Sequence, residues 1–288
     1  MPEGDTIHRT AAALHRALAG QVVRRFETAL ASLARVDDDR PVAGQMVDRC
    51  EAAGKHVMVR LSSGLVLRTH MRMRGAWHLY RPGERWQRSP RALRVRLDTE
   101  AWVAVAFDVS DAEFVDAADL ARHRVLASLG PDLLSPAFDA QDAAARVHAA
   151  GRRPIAEVLL DQRVVAGIGN VYKSEVLFAC GLHPDRPADT LDAASIVALL
   201  ETAARLMHAN TDAAPMGTPV AYRGPRRTTG RAAPGANLWV YDRAGRPCRR
   251  CGTPIVAAKR GADARTTYWC PRCQPPASDP LGAGPLSG

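Results

Sequence analysis

Apolar and polar residues alternate along much of the first part of the chain, from about Gln21 to Phe114. The clearest stretch is 55–69, where apolar residues at every second position flank a Ser-Ser-Gly turn. The stretches 93–97 and 102–107 repeat this period of two. Side chains alternate between the faces of a strand, so this period predicts short strands. Several such strands separated by turns favour an antiparallel β-sandwich or barrel.

Helical patterns flank this β-rich region. A helix ending near Leu18 is predicted before it, because apolar residues three or four positions apart share one face and Asp5 or Thr6 can cap its start. The polar segment 111–124 is also predicted to be helical. After a linker, further helices are predicted over 140–150, 154–162, 171–179 and 191–210. The change from β-rich to α-rich sequence predicts a domain boundary near residue 130.

Positive charge is concentrated near the end of the chain. The 288 residues include 39 Lys and Arg against 30 Asp and Glu, a net charge of +9. Between Tyr222 and Arg272 the basic residues exceed the acidic ones by ten, which is more than the excess of the whole chain. Arginine dominates this region, including the Pro-, Gly- and Arg-rich loop 213–235, and its guanidinium group binds phosphate oxygens in pairs. The charge therefore predicts an anionic partner.

Composition also indicates the compartment. The apolar fraction of 47% is ordinary for a globular protein. No run approaches the ~18 apolar residues of a membrane span, and the start of the chain lacks the apolar core of a signal peptide. We expect a cytoplasmic protein with no membrane partner. Its six cysteines are then not expected to form disulfides.

Four of these cysteines form two Cys-x-x-Cys pairs, Cys248 with Cys251 and Cys270 with Cys273, separated by 18 residues. This spacing is typical of a closed, tetrahedral structural zinc site. The segments 252–256 and 265–269 are predicted to be the two strands of a zinc ribbon. The remaining cysteines, Cys50 and Cys180, are expected in the core.

Two loop motifs can contact an anionic partner. In Gly167-Ile168-Gly169-Asn170, the glycines permit a tight turn and Asn170 can cap the next helix, whose free N–H groups attract anions. A plain capped turn is the alternative. In the segment 70–77, two methionines alternate with Arg72 and Arg74, which suits an apolar wedge flanked by phosphate-binding arginines. A strand with buried methionines fits that pattern equally well.

The chain begins Met1-Pro2-Glu3-Gly4. Removal of Met1 would leave Pro2 as a secondary amine, a nucleophile able to form an iminium ion with an aldehyde-level carbon. Glu3 places a proton donor or acceptor one residue away. These residues alone are weak evidence, because many chains begin Met-Pro. Lys55, after Gly54, is on its own best read as a solvated lysine at a strand edge.

Taken in order, these motifs resemble the formamidopyrimidine-DNA glycosylase and endonuclease VIII family. The resemblance extends from residue 1 to about 274. The motifs that carry it are Met1-Pro2-Glu3-Gly4, Gly54-Lys55, Gly167 to Asn170 with Ser174-Glu175, and the cysteine pairs with Arg265-Thr266-x-Tyr268. It implies an α+β protein with an N-terminal helix, an antiparallel β-sandwich, a helix-two-turn-helix domain and a zinc ribbon. The implied divisions are a catalytic β-sandwich domain over 1–127, a linker over 128–138 and a helix-two-turn-helix domain with the Arg-rich loop over 139–236. The zinc ribbon follows over 237–274, and a disordered tail over 275–288.

The resemblance also implies site residues. Pro2 would attack C1′ of a damaged nucleotide, Glu3 would be the general acid and base, and Lys55 would contact phosphate and assist catalysis. Asn170 and Arg265 would bind the phosphates of the flipped nucleotide. Met73 would fill the space that the nucleotide leaves, and the further candidates for DNA contact are Arg72, Arg74 and Lys173. The implied cofactor is one structural Zn²⁺, and the implied partner is damaged DNA, bound by a monomer.

The branch within the family is read from two segments. The opening four residues and Phe107 to Glu113 resemble endonuclease VIII, and the arginine- and phenylalanine-bearing loop of the other branch is missing. Oxidised pyrimidines are therefore favoured over oxidised purines. Many relatives carry a second glutamate where this chain has Thr6, which leaves the role of that carboxylate open. The alternative from another class is a zinc-ribbon DNA-binding protein without catalysis.

Overall fold

The computed structural model describes residues 2–211, 226–231, 233, 235–261 and 264–276. The chain forms two compact units. The first contains Met1–Phe138 and Met207–Pro225, and the second contains Asp139–Leu206 and Arg226–Gly288. Most of the loop 213–235 and the tail beyond residue 276 lie outside the described residues. Among the helices that the structure describes, none is long and apolar enough to cross a bilayer.

The first unit contains two antiparallel sheets and two α-helices in its described part. Its helices are α1 (Gly4–Leu18) and α2 (Ala31–Asp39). Its strands are β1 (Arg25–Thr28), β2 (Val47–Ala53), β3 (His56–Leu61), β4 (Leu65–His70), β5 (Ala76–Tyr80), β6 (Leu93–Asp98), β7 (Val103–Phe107) and β8 (Asp111–Asp116). One sheet has the order β2-β3-β4-β8 and the other β1-β6-β7-β5.

A single apolar core joins these sheets. Val59 of β3 and Leu67 of β4 pack in one cluster with Trp77 of β5 and Val95 of β6. Leu14 of α1 belongs to the same cluster and is fully buried. The expected β-sandwich with an N-terminal helix is therefore confirmed, because alternate residues of both sheets meet in one interior.

The outer face of the β2-β3-β4-β8 sheet is polar at one end. In the antiparallel register, Arg68 pairs with Glu113 of β8, and His70 pairs with Asp111 of β8 and with His56 of β3. These residues alternate with the apolar residues that face the core, so they share the opposite face. The register thereby groups two histidines, an arginine and two carboxylates.

Two local predictions in this unit are wrong. The stretch Ala31–Asp39, expected to be part of a β region, is helix α2, which buries Leu33. The segment 111–124, expected to be helical, begins with strand β8 and continues as a 3₁₀ helix over Ala117–Arg122. Asp111 and Glu113 obscure the strand pattern of β8, because these charged residues pair with His70 and Arg68 of β4, which are distant in the sequence.

The second unit carries the remaining elements. Its helices are α3 (Ala140–His148), α4 (Ile155–Val158), α5 (Asn170–Ala179) and α6 (Ala193–His208). The last two residues of α6 belong to the segment Met207–Pro225, which is assigned to the first unit. The helix predicted over 154–162 is much shorter, because the Gln162 side chain binds the turn that follows. Its Oε1 accepts from Gly167 N, and its Nε2 donates to the carbonyls of Leu160 and Ile168, each at 3.0 Å.

A two-stranded antiparallel ribbon completes this unit, formed by β9 (Val256–Arg260) and β10 (Arg265–Trp269). The second strand was predicted correctly, whereas the first begins at the end of the predicted segment. The ribbon packs on α5 through a small core that includes Phe178 and Ile255. The division of the chain at 236 and 237 stays a prediction.

Glu175 of α5 connects the helix to the segment that enters the ribbon. The side chain is fully buried. Its Oε1 accepts from the backbone N–H groups of Val240 and Tyr241, and its Oε2 accepts from that of Trp239, each at 2.8 Å. The hydroxyl of Thr228 donates to the same carboxylate. One buried carboxylate thus fixes the approach of the chain to the ribbon.

Replacing Glu175 by Gln tests this role. The amide nitrogen would face backbone donors, so at least one buried donor would lose its acceptor, at a cost of about 2–4 kcal/mol of unfolding free energy. Urea unfolding measures the change. Glu201→Gln, at an exposed position of α6, is the matched control, with an expected change within about 0.5 kcal/mol. Equal stability of the two variants would contradict the assigned role.

Candidate functional site

Pro2 and Glu3 lie buried at the N-terminal end of α1. Glu3 is the N-cap residue, and its carbonyl oxygen accepts from the N–H groups of Thr6 at 2.9 Å and Ile7 at 3.1 Å. Asp5 and Thr6, the expected caps, instead lie inside the helix, where the Thr6 hydroxyl donates to Asp5 Oδ1 at 3.2 Å. Helix α1 packs against β2, β3 and β5, so the sandwich holds this terminus in place.

The position of Pro2 also bears on its chemistry. The N-terminal end of a helix carries partial positive charge. Once Met1 is removed, the amine of Pro2 would lie beside this positive end.

Lys55 lies in the turn between β2 and β3. Gly54 has φ +56°, and its N–H donates to Asp132 Oδ2 at 2.7 Å, which secures the turn to the segment expected to be a linker. The next residue, His56, pairs with His70 at the end of β4 in the antiparallel register. This end of the sheet therefore brings Lys55 near the loop that follows His70.

That loop, residues 71–75 between β4 and β5, is here named the finger loop. Met71 is buried at 2% exposure and anchors it, whereas Met73 is 63% exposed at its tip. Gly75 N donates to Met71 O at 2.8 Å and closes the turn. A Cβ at Gly75 would lie 2.5 Å from Met71 O, so only glycine fits. One of the two methionines therefore lies in the core and the other at the surface. Both Arg72 and Arg74 are exposed.

A polar network around the buried Arg68 lies on the outer sheet face, next to the finger loop. The Arg68 side chain, 7% exposed, donates to Asp111 Oδ1 at 2.7 Å and to Glu113 Oε1 at 2.5 Å. Its Nη1 lies 2.8 Å from His56 Nδ1. Glu113 also contacts His123 Nε2 at 2.9 Å. Because a buried guanidinium needs compensation, these contacts explain why an arginine is tolerated there.

His56 and His70 are neutral at pH 7. Burial, followed by the nearby His70 and Arg68, lowers the pKa of His56 to about 3. Burial and then the charge of Arg72 lower the pKa of His70 to about 4. Burial alone would raise the pKa of Asp111, but the hydrogen bonds and charges of Arg68 and Arg72 outweigh it and lower that pKa. Asp111 is therefore an anion between two arginines.

In the second unit, Asn170 is the first residue of α5, after the N-cap residue Gly169. The expected capping role is wrong, because its side chain is used elsewhere. Its Nδ2 donates to Thr266 O at 2.8 Å, and its Oδ1 accepts from Lys173 Nζ at 2.7 Å. Asn170 thereby ties the start of α5 to β10, next to Arg265.

Lys173, a predicted DNA contact, is only 1% exposed. Its ammonium group donates to Asn170 Oδ1 and, at 2.8 Å, to Thr267 Oγ1. A buried ammonium with these acceptors orients Asn170, and the DNA contact of Lys173 itself stays a prediction.

Arg265 begins β10 and lines a basic groove of the second unit. The groove has a volume of about 430 Å³ and is lined by Arg153, Glu157, Leu160, Asp161, Gln162, Arg163, Arg260, Gly261 and Arg265. Hydrogen bonds from Arg163, and then from Arg153, lower the pKa of Asp161 to about 2, although burial opposes the shift. Arginines outnumber the carboxylates, so the groove suits an anion such as phosphate.

The four predicted zinc ligands come together at one end of the ribbon. The Sγ atoms of Cys248, Cys251, Cys270 and Cys273 lie within 4.8 Å of one another. Cys248 and Cys273 are 3.9 Å apart, and Cys251 and Cys270 are 3.4 Å apart. Tetrahedral Zn²⁺ with Zn–S bonds of about 2.3 Å requires S–S distances of about 3.8 Å. The cluster therefore fits one structural zinc ion.

Sequence reasoning missed the residues that position others. Asp111 and Arg68 were not singled out, although polar residues spaced by two within β4 were a signal for a polar outer face. Glu175 was quoted only as part of a family motif. Asp108 entered only as a member of the segment 107–113, and Arg88 had no signal, because their contact at 3.0 Å joins two separate loops.

Comparison with known proteins agrees with this architecture. Residues 1–122 match the formamidopyrimidine-DNA glycosylase N-terminal domain, 129–218 the formamidopyrimidine-DNA glycosylase H2TH domain, and 245–276 the zinc finger found in FPG and IleRS. A solved structure of the Lactococcus lactis formamidopyrimidine-DNA glycosylase, bound non-covalently to DNA containing an AP site, has a TM-score of 0.79 at 20% identity. That alignment covers 96% of this chain and 100% of the other.

Relatives found by sequence share a higher identity with this chain than that structure does. The probable endonuclease 8 2 of Streptomyces coelicolor is 41% identical over 98% of this chain and 97% of its own. The DNA-(apurinic or apyrimidinic site) lyase Nei2 of Mycolicibacterium smegmatis is 38% identical over 95% of this chain and 99% of its own. An endonuclease 8 of Salmonella paratyphi B is 32% identical over 95% of this chain.

Fold and sequence together define a zinc-containing DNA repair enzyme with glycosylase and abasic-site lyase activity. The chain belongs to the formamidopyrimidine-DNA glycosylase and endonuclease VIII family, and within it to the endonuclease VIII-like enzymes of base excision repair. The resemblance read from the sequence is confirmed.

The neutral histidines predict a pH dependence. Their folded-state pKa values lie below the unfolded value of 6.5, so the unfolded chain binds more protons below that pH. Unfolding free energy should therefore fall as pH drops from about 6.5 to 5, by about 1 kcal/mol per pH unit for each histidine. Urea unfolding at pH 7 and pH 5 measures this. In His56→Asn, whose amide oxygen can replace Nδ1, the fall should be smaller, and an unchanged fall would contradict this origin.

Proposed function

We propose that this enzyme excises oxidised bases, with pyrimidines preferred, through a Schiff base formed by Pro2. The Pro2 nitrogen attacks C1′, the glycosidic C–N bond breaks, and the base leaves with a proton. The sugar ring then opens to give an iminium ion. Loss of the proton at C2′ expels the 3′ phosphate by β-elimination, and δ-elimination expels the 5′ phosphate. Glu3 transfers protons in these steps.

The observation that carries this proposal is the anchored start of α1. Pro2 and Glu3 are both buried there, and α1 packs against three strands of the sandwich. A DNA-binding module without catalysis has no need of a fixed terminal proline beside a buried carboxylate. The lyase name of the Mycolicibacterium smegmatis relative supports the same chemistry.

DNA phosphates are assigned to basic groups of each unit. In the second unit, Arg265 lines the basic groove, and Asn170 is tied to the adjacent residue Thr266. In the first unit, Lys55 directly precedes His56, which pairs with His70 at the base of the finger loop. Arginine and lysine at these positions would bind the backbone of damaged DNA whatever its sequence. Solved structural neighbours in complex with DNA that contains an abasic site support this partner.

Met73 is the proposed wedge. Extrusion of a nucleotide costs a few kcal/mol, and an apolar side chain that enters the vacated stack offsets part of that cost. Met73 is exposed at the tip of a loop whose other methionine is buried. Its flanking arginines provide positive charge at the same loop.

Trapping with borohydride tests the nucleophile. Reduction of the iminium ion should join wild-type protein covalently to abasic DNA, and mass spectrometry should locate the adduct at Pro2. Pro2→Gly, or a protein that retains Met1, should lose at least about 90% of the adduct, because the secondary amine is lost or blocked. Thr10→Ser in α1 is a control that should trap normally. An adduct of normal yield at another residue would refute the assignment.

A panel of damaged oligonucleotides tests the pyrimidine preference. Trapping and strand cleavage are measured on matched duplexes that contain thymine glycol or 8-oxoguanine. We expect thymine glycol to be processed at least about tenfold faster, a difference of about 1.4 kcal/mol in activation free energy. Faster processing of 8-oxoguanine would assign the enzyme to oxidised purines instead. Tight binding without cleavage of any duplex would support the non-catalytic alternative.

A further inference from the structure

The finger loop contains a residue in an unfavourable backbone conformation. Arg72 has φ +48°, in the left-handed region that non-glycine residues seldom adopt. Such a conformation persists only where surrounding contacts compensate for it. Two contacts do so at Arg72. Its N–H donates to His70 Nδ1 at 3.1 Å, and its guanidinium donates to Asp111 Oδ2 through Nε at 3.1 Å and Nη2 at 2.7 Å.

Asp111 is itself held firmly. Its other oxygen, Oδ1, accepts from Arg68 Nη2 at 2.7 Å, and Arg68 is buried and bound in turn to Glu113. The backbone of Asp111 lies in β8, paired with His70 of β4. Asp111 therefore connects a rigid part of the sheet to the loop that carries Met73.

A second carboxylate holds the other side of the finger loop. Arg88 Nη1 donates to the carbonyl oxygen of Arg74 and to Asp108 Oδ2, both at 3.0 Å. Asp108 has φ +55° and is fixed by its N–H, which donates to Ala92 O at 2.7 Å. Asp108 lies in the short connection between β7 and β8, and Asp111 is the first residue of β8. The segment from Asp108 to Asp111 thus contacts the finger loop on both sides.

We propose that Asp111 is a positioning residue that holds the finger loop in its wedge conformation before DNA is bound, acting through Arg72. The inference rests on the proposed function, in which Met73 replaces an extruded nucleotide. A preorganised loop avoids the loss of conformational entropy that ordering it on DNA would require. Asp111 therefore promotes extrusion of the nucleotide, and through it base excision, without touching the nucleotide.

Hydrogen exchange of the free protein tests the positioning directly. The Gly75 amide, bonded to Met71 O, reports the closed finger loop. In Asp111→Asn, exchange at this amide should accelerate by about tenfold, because a charge-assisted contact that stabilises the closed loop is weakened. Glu113→Gln is the matched control, since Glu113 binds the same Arg68 but no finger-loop residue in the described structure. It should leave this amide unchanged even if it lowers overall stability.

Activity distinguishes positioning from general destabilisation. Excision from a damaged duplex requires extrusion, whereas cleavage of an abasic site in single-stranded DNA does not. Asp111→Asn should lower the ratio of the first rate to the second by about tenfold, the effect expected when part of the extrusion cost is no longer offset. The ratio should be unchanged in Glu113→Gln. Because Asp111 acts through Arg72, the double variant Asp111→Asn with Arg72→Gln should resemble Arg72→Gln alone.

Normal exchange at Gly75 in Asp111→Asn would overturn the proposal, and so would an unchanged ratio or additive effects in the double variant. The exchange measurement uses no DNA, so its result stands by itself. Failure of the wild-type protein to form a borohydride adduct would instead refute the proposed function. The two failures are therefore distinguishable.

Discussion

The ion pair of buried Arg68 with Asp111 is the interaction on which the first unit's candidate site depends. A guanidinium withdrawn from water is tolerable only with close acceptors, and the pairing of β4 with β8 supplies both carboxylates. The same pairing places His70 beside Asp111 and leads directly into the finger loop. The outer face of the sheet thus combines two roles: it satisfies a buried charge, and it fixes the base of an exposed loop that presents Met73.

The second unit uses buried charge in a comparable way. Lys173 and Glu175, two residues apart in α5, are both buried, and each binds groups distant in the sequence. Lys173 contacts β10, whereas Glu175 binds the backbone that enters the ribbon. Zinc supplies much of the ribbon's folding energy, but these contacts decide where the ribbon lies on α5. Asn170 is oriented as a result, so a candidate phosphate ligand depends on a lysine that never reaches the surface.

In both units, the residues proposed to react or to bind DNA differ from the residues that hold them in position. The reactivity proposed for Pro2, Glu3 and Lys55 comes from their residue types. Asp111, Lys173 and Glu175 supply geometry, and their replacement would move other side chains instead of removing a reacting atom. Preorganised groups contribute more to catalysis than groups that must be ordered during the reaction. The buried networks therefore belong to the explanation of activity as well as that of stability.

The sequence by itself determined the features that depend on local pattern or fixed spacing. Period-two alternation predicted the sandwich strands, the cysteine spacing predicted the zinc site, and the ordered motifs identified the family. Tertiary structure alone decided that 111–116 is a strand, that Lys173 is buried, and that Met71 is buried whereas Met73 is exposed. The physical reason is that strand pairing and burial depend on residues distant in the chain. A charged residue has no local pattern that reveals whether it will meet water or an opposite charge.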